Sequence, residues 1–397
     1  MKFAILFLAA AAAACTGGVS GDGCHACPAA LTLLDAHHGL GDGVTTGNLT
    51  VWPVFTDAPL DVGEVYTLEE ALGKGLAEVR EQGAAATAER AEAPEGLDEL
   101  ELALVELEDA ATVGTLVVEN RSDRPILICA GTVVEGGNQD RQIGQDFVVQ
   151  AGATVPVDAF CVEQGRWNGV REGVATGDLF VLADYYAPAS TRGCAQYEKD
   201  QDAVWTSVAN TRLFFFQAHE SDGDDFNALN DPSLRDSFRD PVVYARGAAE
   251  STSLAVVLDA AAEAAPDALD ATMKAVREHF DASPDAVGFA YAIDGRAVAV
   301  RTFANAPLFR RHFDAFLRTM AHEAKLAAAA REGPAPAARV EDVVALVASV
   351  EKSDETVTPT AALNRNGVRA SGKGWASACY LPKGDGVLAV TRDWTMK

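Results

Sequence analysis

Between Gly114 and Val157 the chain alternates short, β-branched apolar runs with clusters of turn-forming residues, and this stretch limits the available folds more than any other. Gly114-Thr115-Leu116-Val117-Val118-Glu119 and Pro125-Ile126-Leu127-Ile128-Cys129 flank Asn120-Arg121-Ser122-Asp123-Arg124. Phe147-Val148-Val149 and Thr154-Val155-Pro156-Val157 likewise flank Gln150-Ala151-Gly152-Ala153. Connections this short do not accommodate the crossovers that parallel strands need, so the pattern predicts two hairpins in an antiparallel meander.

On either side the periodicity changes. Leu49, Val51, Val54 and Phe55 predict a strand, and Thr67 followed by Glu70 predicts a capped helix start. Gly83 to Gly96, rich in Ala and Glu, reads as an exposed excursion. Val204, Trp205, Val208 and Leu213 recur at helical spacing within Tyr197 to Phe215, and the acidic stretch from Glu220 to Asp240 reads as a loop. Ala255 to Phe280 is helical with a break at Pro266, Val287 to Arg301 is a hairpin about Asp294-Gly295, and Asn305 opens a long helix through Phe309, Phe313, Phe316, Leu317 and Met320. A Pro and Ala linker from Gly333 to Ala338 precedes another helix and then short strands. The expectation is an α+β fold: a β-rich antiparallel meander over 48–218, then helices with short hairpins over 219–397, the second part separate or continuous with the first.

The N-terminus states an address. Lys2 and an apolar stretch from Phe3 to Ala14, too short to span a bilayer, suit a signal peptide over 1–14. It ends Ala12-Ala13-Ala14-Cys15, which resembles the bacterial lipobox; an ordinary secretory cleavage at the same site is the alternative. Cys15 would then carry the lipid, residues 15–47 would be a Gly-rich tether, and Thr16, standing where Asp would resemble an inner-membrane retention signal, favours the outer membrane or surface. Export implies oxidising conditions, so Cys24, Cys27, Cys129, Cys161, Cys194 and Cys379 are candidates for disulfides. Cys129 and Cys161 are expected to be buried, and bonded to each other if their strands pair. Cys24 and Cys27 cannot hold a c-type haem because Pro28 takes the histidine's place, and zinc through them with His37 and His38 would need tighter flanking structure.

Charge and composition exclude other classes. Lys and Arg number 32 against 58 Asp and Glu, a net charge of −26 that repels phosphate backbones, so nucleic acid is not an expected partner. A chain of 397 residues that is 48% hydrophobic can bury a large core, which excludes a mainly disordered protein. Beyond the N-terminus no apolar run is long enough to cross a membrane, leaving the lipid on Cys15 as the membrane contact.

Catalytic signatures are sparse. No nucleophile-elbow pattern occurs, and His322-Glu323 lacks the second histidine of a zincin helix. Gly367-Val368-Arg369-Ala370-Ser371-Gly372-Lys373 approaches a phosphate-binding loop, but Gly374 stands where a hydroxyl must ligate magnesium and a strand follows. Asp222, Asp224 and Asp225 could gather calcium, though Phe226 and Asn227 spoil an EF-hand and a solvated loop is the simpler reading. Neither a metal nor a cofactor is expected.

One cluster stands out. Gly136, Gly137, Gln139, Asp140 and Arg141 follow Glu135, and Glu163, Gln164, Gly165, Arg166 and Trp167 repeat the mixture one hairpin later. If both loops converge, Arg141, Arg166 and Gln139 suit an anionic group, Trp167 covers a ring, and Glu163 or Asp140 can serve as a general base. The competing reading is structural: Arg141 pairs with Asp140 and Arg166 with Glu163 to tie loops together.

These residues carry a resemblance. Ala130-Gly131 through Gly136-Gly137, Gln139-Asp140-Arg141, Cys161-Val162-Glu163-Gln164-Gly165-Arg166-Trp167, and Gln201 with Trp205 resemble the ARG and rhodanese-phosphatase-superfamily-associated protein domain; Thr132 and Asn138 depart from it. The similarity continues through Asn48 to Val51 and Phe289 to Ala324. The family's name, which records association with ADP-ribosylglycohydrolases and rhodanese-like phosphatases, implies a link to nucleotide-derived ligands. The expected function is an exported, lipid-anchored ligand-binding or interaction module; the alternatives are a hydrolase of an ADP-ribose-like or sugar-phosphate substrate and a structural envelope protein. Replacing Cys15→Ser should abolish metabolic lipid labelling and move the protein to the aqueous phase of a detergent partition; unaltered partitioning would remove the anchor.

Overall fold

The computed structural model describes residues 31–82, 114–165, 170–171, 174–175, 179–220, 253–264, 266–329, 331, 333–362, 364–383 and 386–397. The signal segment with Cys15, the pair Cys24 and Cys27, the excursion from Gly83, and the acidic segment with Asp222, Asp224 and Asp225 lie outside these described residues. The first strands are β1 (Thr32–Leu33), β2 (His38–Leu40), β3 (Val44–Thr46) and β4 (Leu49–Thr56). Sheet thus begins where composition predicts tether. The glycines here make room for neighbours: a Cβ on Gly41 would lie 2.7 Å from the Phe55 ring, and one on Gly43 would lie 2.4 Å from Trp52 Nε1.

β5 (Tyr66–Thr67) leads into α1 (Leu68–Gly73), where the Thr67 hydroxyl accepts from the Glu70 N–H and Glu70 accepts from the Thr67 N–H, both at 3.0 Å. This is the capping box that the sequence predicts. The strands that follow are β6 (Ala77–Glu81), β7 (Thr115–Asn120), β8 (Ile126–Ile128), β9 (Thr132–Gly136), β10 (Arg141–Ile143), β11 (Phe147–Val149) and β12 (Thr154–Cys161). After a short pair, β13 (Val170–Arg171) with β14 (Val174–Ala175), comes β15 (Phe180–Tyr186). A six-stranded antiparallel sheet runs β15-β9-β10-β12-β7-β6, and an Arg80 to Leu179 bridge joins its two outer strands, so the sheet curls toward a barrel. Alternation on these strands turns Val79, Leu116, Val118, Val134, Ile143, Val157 and Phe180 into one core.

The two predicted hairpins do not form as such. β7 pairs with β12, and β8 pairs with β11 and β5 in a separate three-stranded sheet. The segments 120–125 and 150–153 are therefore corners, where two paired strands pass together from one sheet to the next. Asn120 holds the corner: its Nδ2 donates to the carbonyls of Arg124 at 2.8 Å and of Val149 and Gln150 at 3.0 Å.

Helices α2 (Ala189–Gly193), continued by a π-helical turn at Cys194–Glu198, α3 (Gln201–Glu220), α4 (Leu254–Ala264) and α5 (Pro266–Asp281) precede the hairpin β16 (Gly288–Ile293) and β17 (Arg296–Phe303). Then come α6 (Ala306–Ala329), α7 (Val340–Val350), β18 (Thr356–Pro359), β19 (Arg365–Ala370), β20 (Gly374–Lys383) and β21 (Gly386–Met396). A ten-stranded sheet runs β1-β2-β4-β16-β17-β21-β20-β19-β18, with β3 on β4. Since β4 pairs with β16 from Leu49 opposite Ile293 to Val54 opposite Gly288, the two ends of the chain share one sheet. Leu49, Val51, Phe289 and Tyr291 pack one face against Phe309, Phe313 and Phe316 of α6, while Trp52, Val54, Val300 and Trp394 pack the other against Leu346 and Val350 of α7. The fold is α+β, β-rich and antiparallel in its N-terminal half save for the short parallel pair of β5 with β8, with helices and hairpins after it.

A buried ionic network connects the two sheets. Arg301 on β17 donates to both oxygens of Asp146, in the β10–β11 connection, at 2.8 and 2.9 Å, and lies 3.4 Å from Asp393 on β21. Asp393 also accepts from Arg192 on α2 at 2.5 Å and from Tyr197 Oη–H at 2.7 Å, and Asp146 from the Ala130 N–H at 2.6 Å and the Thr391 hydroxyl. Asn364 and Asn366 donate to the Asp146 carbonyl at 3.1 and 2.9 Å.

Candidate functional site

Six of the residues singled out from sequence meet at one end of the curled sheet. Gly136 and Gly137 have positive φ values of 140° and 49°, and a Cβ on Gly137 would lie 2.6 Å from the Phe180 ring and 2.8 Å from Glu81 Oε1. These glycines let β9 close against β15 and β6. Gln139, Asp140, Arg141 and Glu163 are all buried. Asp140 accepts from the Gly136 N–H at 3.2 Å and from Ser253 Oγ–H at 3.1 Å, while its own N–H donates to Glu163 Oε2 at 3.1 Å. Arg141 Nη1 donates to Gln139 Oε1 at 3.0 Å, Gln139 Nε2 donates to the Glu163 carbonyl at 3.1 Å, and Arg141 Nη2 lies 3.8 Å from Glu81 Oε1.

Arg141 thus reaches Gln139 and Glu81, and its Nη1 also donates to the Asp140 carbonyl at 3.4 Å. Arg166 and Trp167 lie outside the described residues. Sequence reasoning missed Glu81 and Ser253, which come from segments far along the chain; only the burial alternation of β6, in which Glu81 shares a face with Val79, could have flagged the first. Gln201 clamps the adjoining strand, with Oε1 accepting from the Cys161 N–H at 2.9 Å and Nε2 donating to the Cys161 carbonyl at 2.8 Å.

A second constellation, unanticipated from sequence, lines a cleft of about 230 Å³ between β15 and helices α5 and α6. Its buried end holds Cys129, Thr132, Tyr186 and His312; its open end carries Arg277, Arg311 and Arg318 with Glu69, Asp184 and Asp314. His312 Nδ1 lies 2.8 Å from Tyr186 Oη and 3.8 Å from Cys129 Sγ. Whichever ring nitrogen carries the proton, Nε2 is buried without a partner among the described residues. Burial, reinforced by the nearby Arg301 charge, pulls the His312 pKa down to about 3, so the ring is neutral. Burial pushes the Cys129 thiol up to about 12 and the Tyr186 hydroxyl well above its ordinary value, so both keep their protons. At the rim, Arg277 pairs with Asp314 at 3.0 Å and Arg318 with Asp184 at 3.1 Å.

The cysteines resolve one expectation. Cys129 and Cys161 are both fully buried, as the apolar runs around them imply, but they are not bonded; with Cys194 and Cys379 they are free thiols. Cys129 faces His312, whereas Cys161 Sγ donates to the Glu163 carbonyl at 3.1 Å. Among the described residues no group of three or more His, Cys, Asp or Glu could hold a metal ion, and the ring Nδ1 atoms of His37 and His38 are bonded to Asp57 and Asp35. In the His322-Glu323 dipeptide, Glu323 accepts from the Ala189 N–H and from Tyr291 Oη–H, both at 2.7 Å.

An α+β body with a curled six-stranded sheet beside a ten-stranded one defines the class of fold. The chain matches the ARG and Rhodanese-Phosphatase-superfamily-associated Protein domain over residues 37–391, and it belongs to that family. No curated protein and no solved structure matches it.

The two buried histidines on α6 give a pH dependence. His322 is buried with both ring nitrogens unpartnered among the described residues, and burial, then Arg318 and Lys325, lowers its pKa to about 3 from 6.5, as for His312. Unfolding restores ordinary values, so below about pH 6.5 the unfolded chain takes up protons that the folded one refuses. Stability is full above that pH and falls as pH drops toward 3, by up to about 1.4 kcal/mol per pH unit for each histidine. Urea midpoints measured from pH 7 to pH 5 should fall, and His322→Phe should make the fall shallower. A slope unchanged by that substitution would contradict the assignment.

Proposed function

We propose that this protein is an exported, lipid-anchored ligand-binding module that takes a compact small molecule into the Tyr186–His312 cleft. The observation that carries the reading is the buried end of the cleft, where a neutral imidazole, a protonated phenol and a protonated thiol converge, the phenol and thiol both on His312 Nδ1. A concave site with a few convergent polar groups at its buried end is the usual form of a small-molecule pocket. Three arginines and three carboxylates at the opening balance, which suits a neutral or zwitterionic molecule more than a strongly charged one. The volume, about 230 Å³, lies below the ~300–1,000 Å³ typical of drug-sized ligands.

Binding has more support than covalent catalysis, because a thiol held at about 12 has almost no nucleophilic thiolate at neutral pH. Hydrolysis through Asp140 and Glu163 has less support for a different reason: both carboxylates already accept from the protein's own interior donors. The anchor on Cys15 would hold the module at the cell envelope.

A thermal-shift screen of the full-length protein against neutral and zwitterionic metabolites should give compounds that raise Tm, as any ligand of the native state must. Ala315→Trp, which fills the cleft from a partly exposed position on α6, should remove those shifts while leaving the ligand-free Tm close to that of the parent. Shifts that persist in Ala315→Trp would place the ligand elsewhere.

A further inference from the structure

The segment Gly367–Lys373, which resembles a phosphate-binding loop in sequence, forms part of β19 and the turn into β20, so it has no helix to present to a phosphate. Its lysine nevertheless stands in notable company. A groove of about 400 Å³ opens at the end of the ten-stranded sheet where the β16–β17 turn, the β19–β20 turn, the end of β21 and helix α7 meet. Arg296, Lys373 and Lys397 line it together with one acidic side chain, Asp342, and the Lys397 ammonium lies 5.0 Å from the centre of the Trp375 ring. The backbone fixes this convergence: Lys397 N–H donates to the Lys373 carbonyl at 3.1 Å, and Ser371 Oγ accepts from the Lys373 and Gly374 N–H groups at 3.1 and 3.2 Å.

On a chain with 58 acids to 32 bases, a cation has every opportunity to find a carboxylate, and the cleft arginines Arg277 and Arg318 have done so. Arg296, Lys373 and Lys397 are exposed and have no ion-pair partner among the described residues. Below them the groove is apolar, with Leu346 and Ala297 buried and Met396 half-buried. We propose that this groove binds a small amphipathic anion, a phosphate or carboxylate on a short apolar body, with the charge at Arg296 and Lys373 and the body against Leu346 and Met396. The site is separate from the Tyr186–His312 cleft and does not rest on its ligand.

A free molecule fits better than a membrane surface. Screening limits the reach of each charge to about 8 Å at physiological ionic strength, so a small anion inside the groove meets Arg296 and Lys373, while a flat anionic bilayer would also meet a protein of net charge −26. The volume is within the ~300–1,000 Å³ of small-molecule sites.

The test uses the full chain carrying Cys15→Ser, titrated calorimetrically with hexyl phosphate, with inorganic phosphate and hexanol as its two halves. Hexyl phosphate should bind saturably at one site, more tightly than either half. Arg296→Gln with Lys373→Gln should weaken it about tenfold or more without moving Tm, since both side chains are exposed. Absence of saturable binding, binding unaffected by the double variant, or inorganic phosphate binding equally well would each overturn the proposal. Co-sedimentation with phosphatidylglycerol vesicles that needs Arg296 and Lys373 but is not competed by hexyl phosphate would also overturn it, in favour of membrane docking. Ala315→Trp should leave hexyl phosphate binding intact, so failure here and failure of the cleft reading are separately visible.

Discussion

Arg301 is fully buried, and the charge it carries determines how the two sheets meet. A buried guanidinium is tolerable only with carboxylates and other acceptors around it, and its two carboxylates come from opposite parts of the chain: Asp146 from the curled sheet's connection and Asp393 from β21. Burial alone would raise the Asp393 pKa, but Arg192 and Arg301 outweigh it and hold the carboxyl below its usual range. The two arginines and two aspartates sum to zero charge. Deleting one member would strand the rest, at a typical cost of about 3–5 kcal/mol, a large share of the ~5–15 kcal/mol that holds an ordinary domain together. Such a network adds little stability over well-packed apolar residues; what it supplies is a single acceptable arrangement of β17, β21, α2 and the β10–β11 connection.

The same network supports the cleft through direct contacts. The Arg301 guanidinium lies 5.1 Å from the centre of the Phe316 ring, Phe316 stacks on Tyr186 at 3.8 Å, and Tyr186 bonds His312. His312 in turn stacks on Phe303, whose ring centre is 5.6 Å from Arg301. The buried end of the cleft therefore sits on the network, and the positive charge of Arg301 helps to keep His312 neutral. Geometry and protonation at the proposed ligand seat have one common source.

Local signals in the sequence carried most of the secondary structure and little of the pairing. The capping box at Thr67, the turn at Asp294-Gly295 and the long helix from Ala306 depend on residues within a few positions of each other, and all are present. Asn120–Arg124 and Gln150–Ala153 have turn composition too, yet they are corners, because whether a chain doubles back or changes sheet depends on its distant partner. The glycines before Asn48 misled for a related reason: room for Trp52 and Phe55 looks the same in composition as flexibility. At the predicted cluster, Gln139 to Arg141 and Glu163 were legible because β10 and β12 are near in sequence and pair directly. Tyr186 and His312 are separated by 126 residues and Cys129 and His312 by 183, so nothing local could announce that they meet.

The central claim is that the curled sheet and the ten-stranded sheet form one cooperative unit wired through Arg301. Native-state hydrogen exchange tests it most directly, by comparing the opening free energies of amides in β7 and β12 with those in β17 and β21 under mild denaturant. The account predicts that the slowest amides of both sheets converge on the same free energy and the same denaturant dependence. A curled sheet that opens at a distinctly lower free energy, while β17 and β21 stay protected, would contradict it.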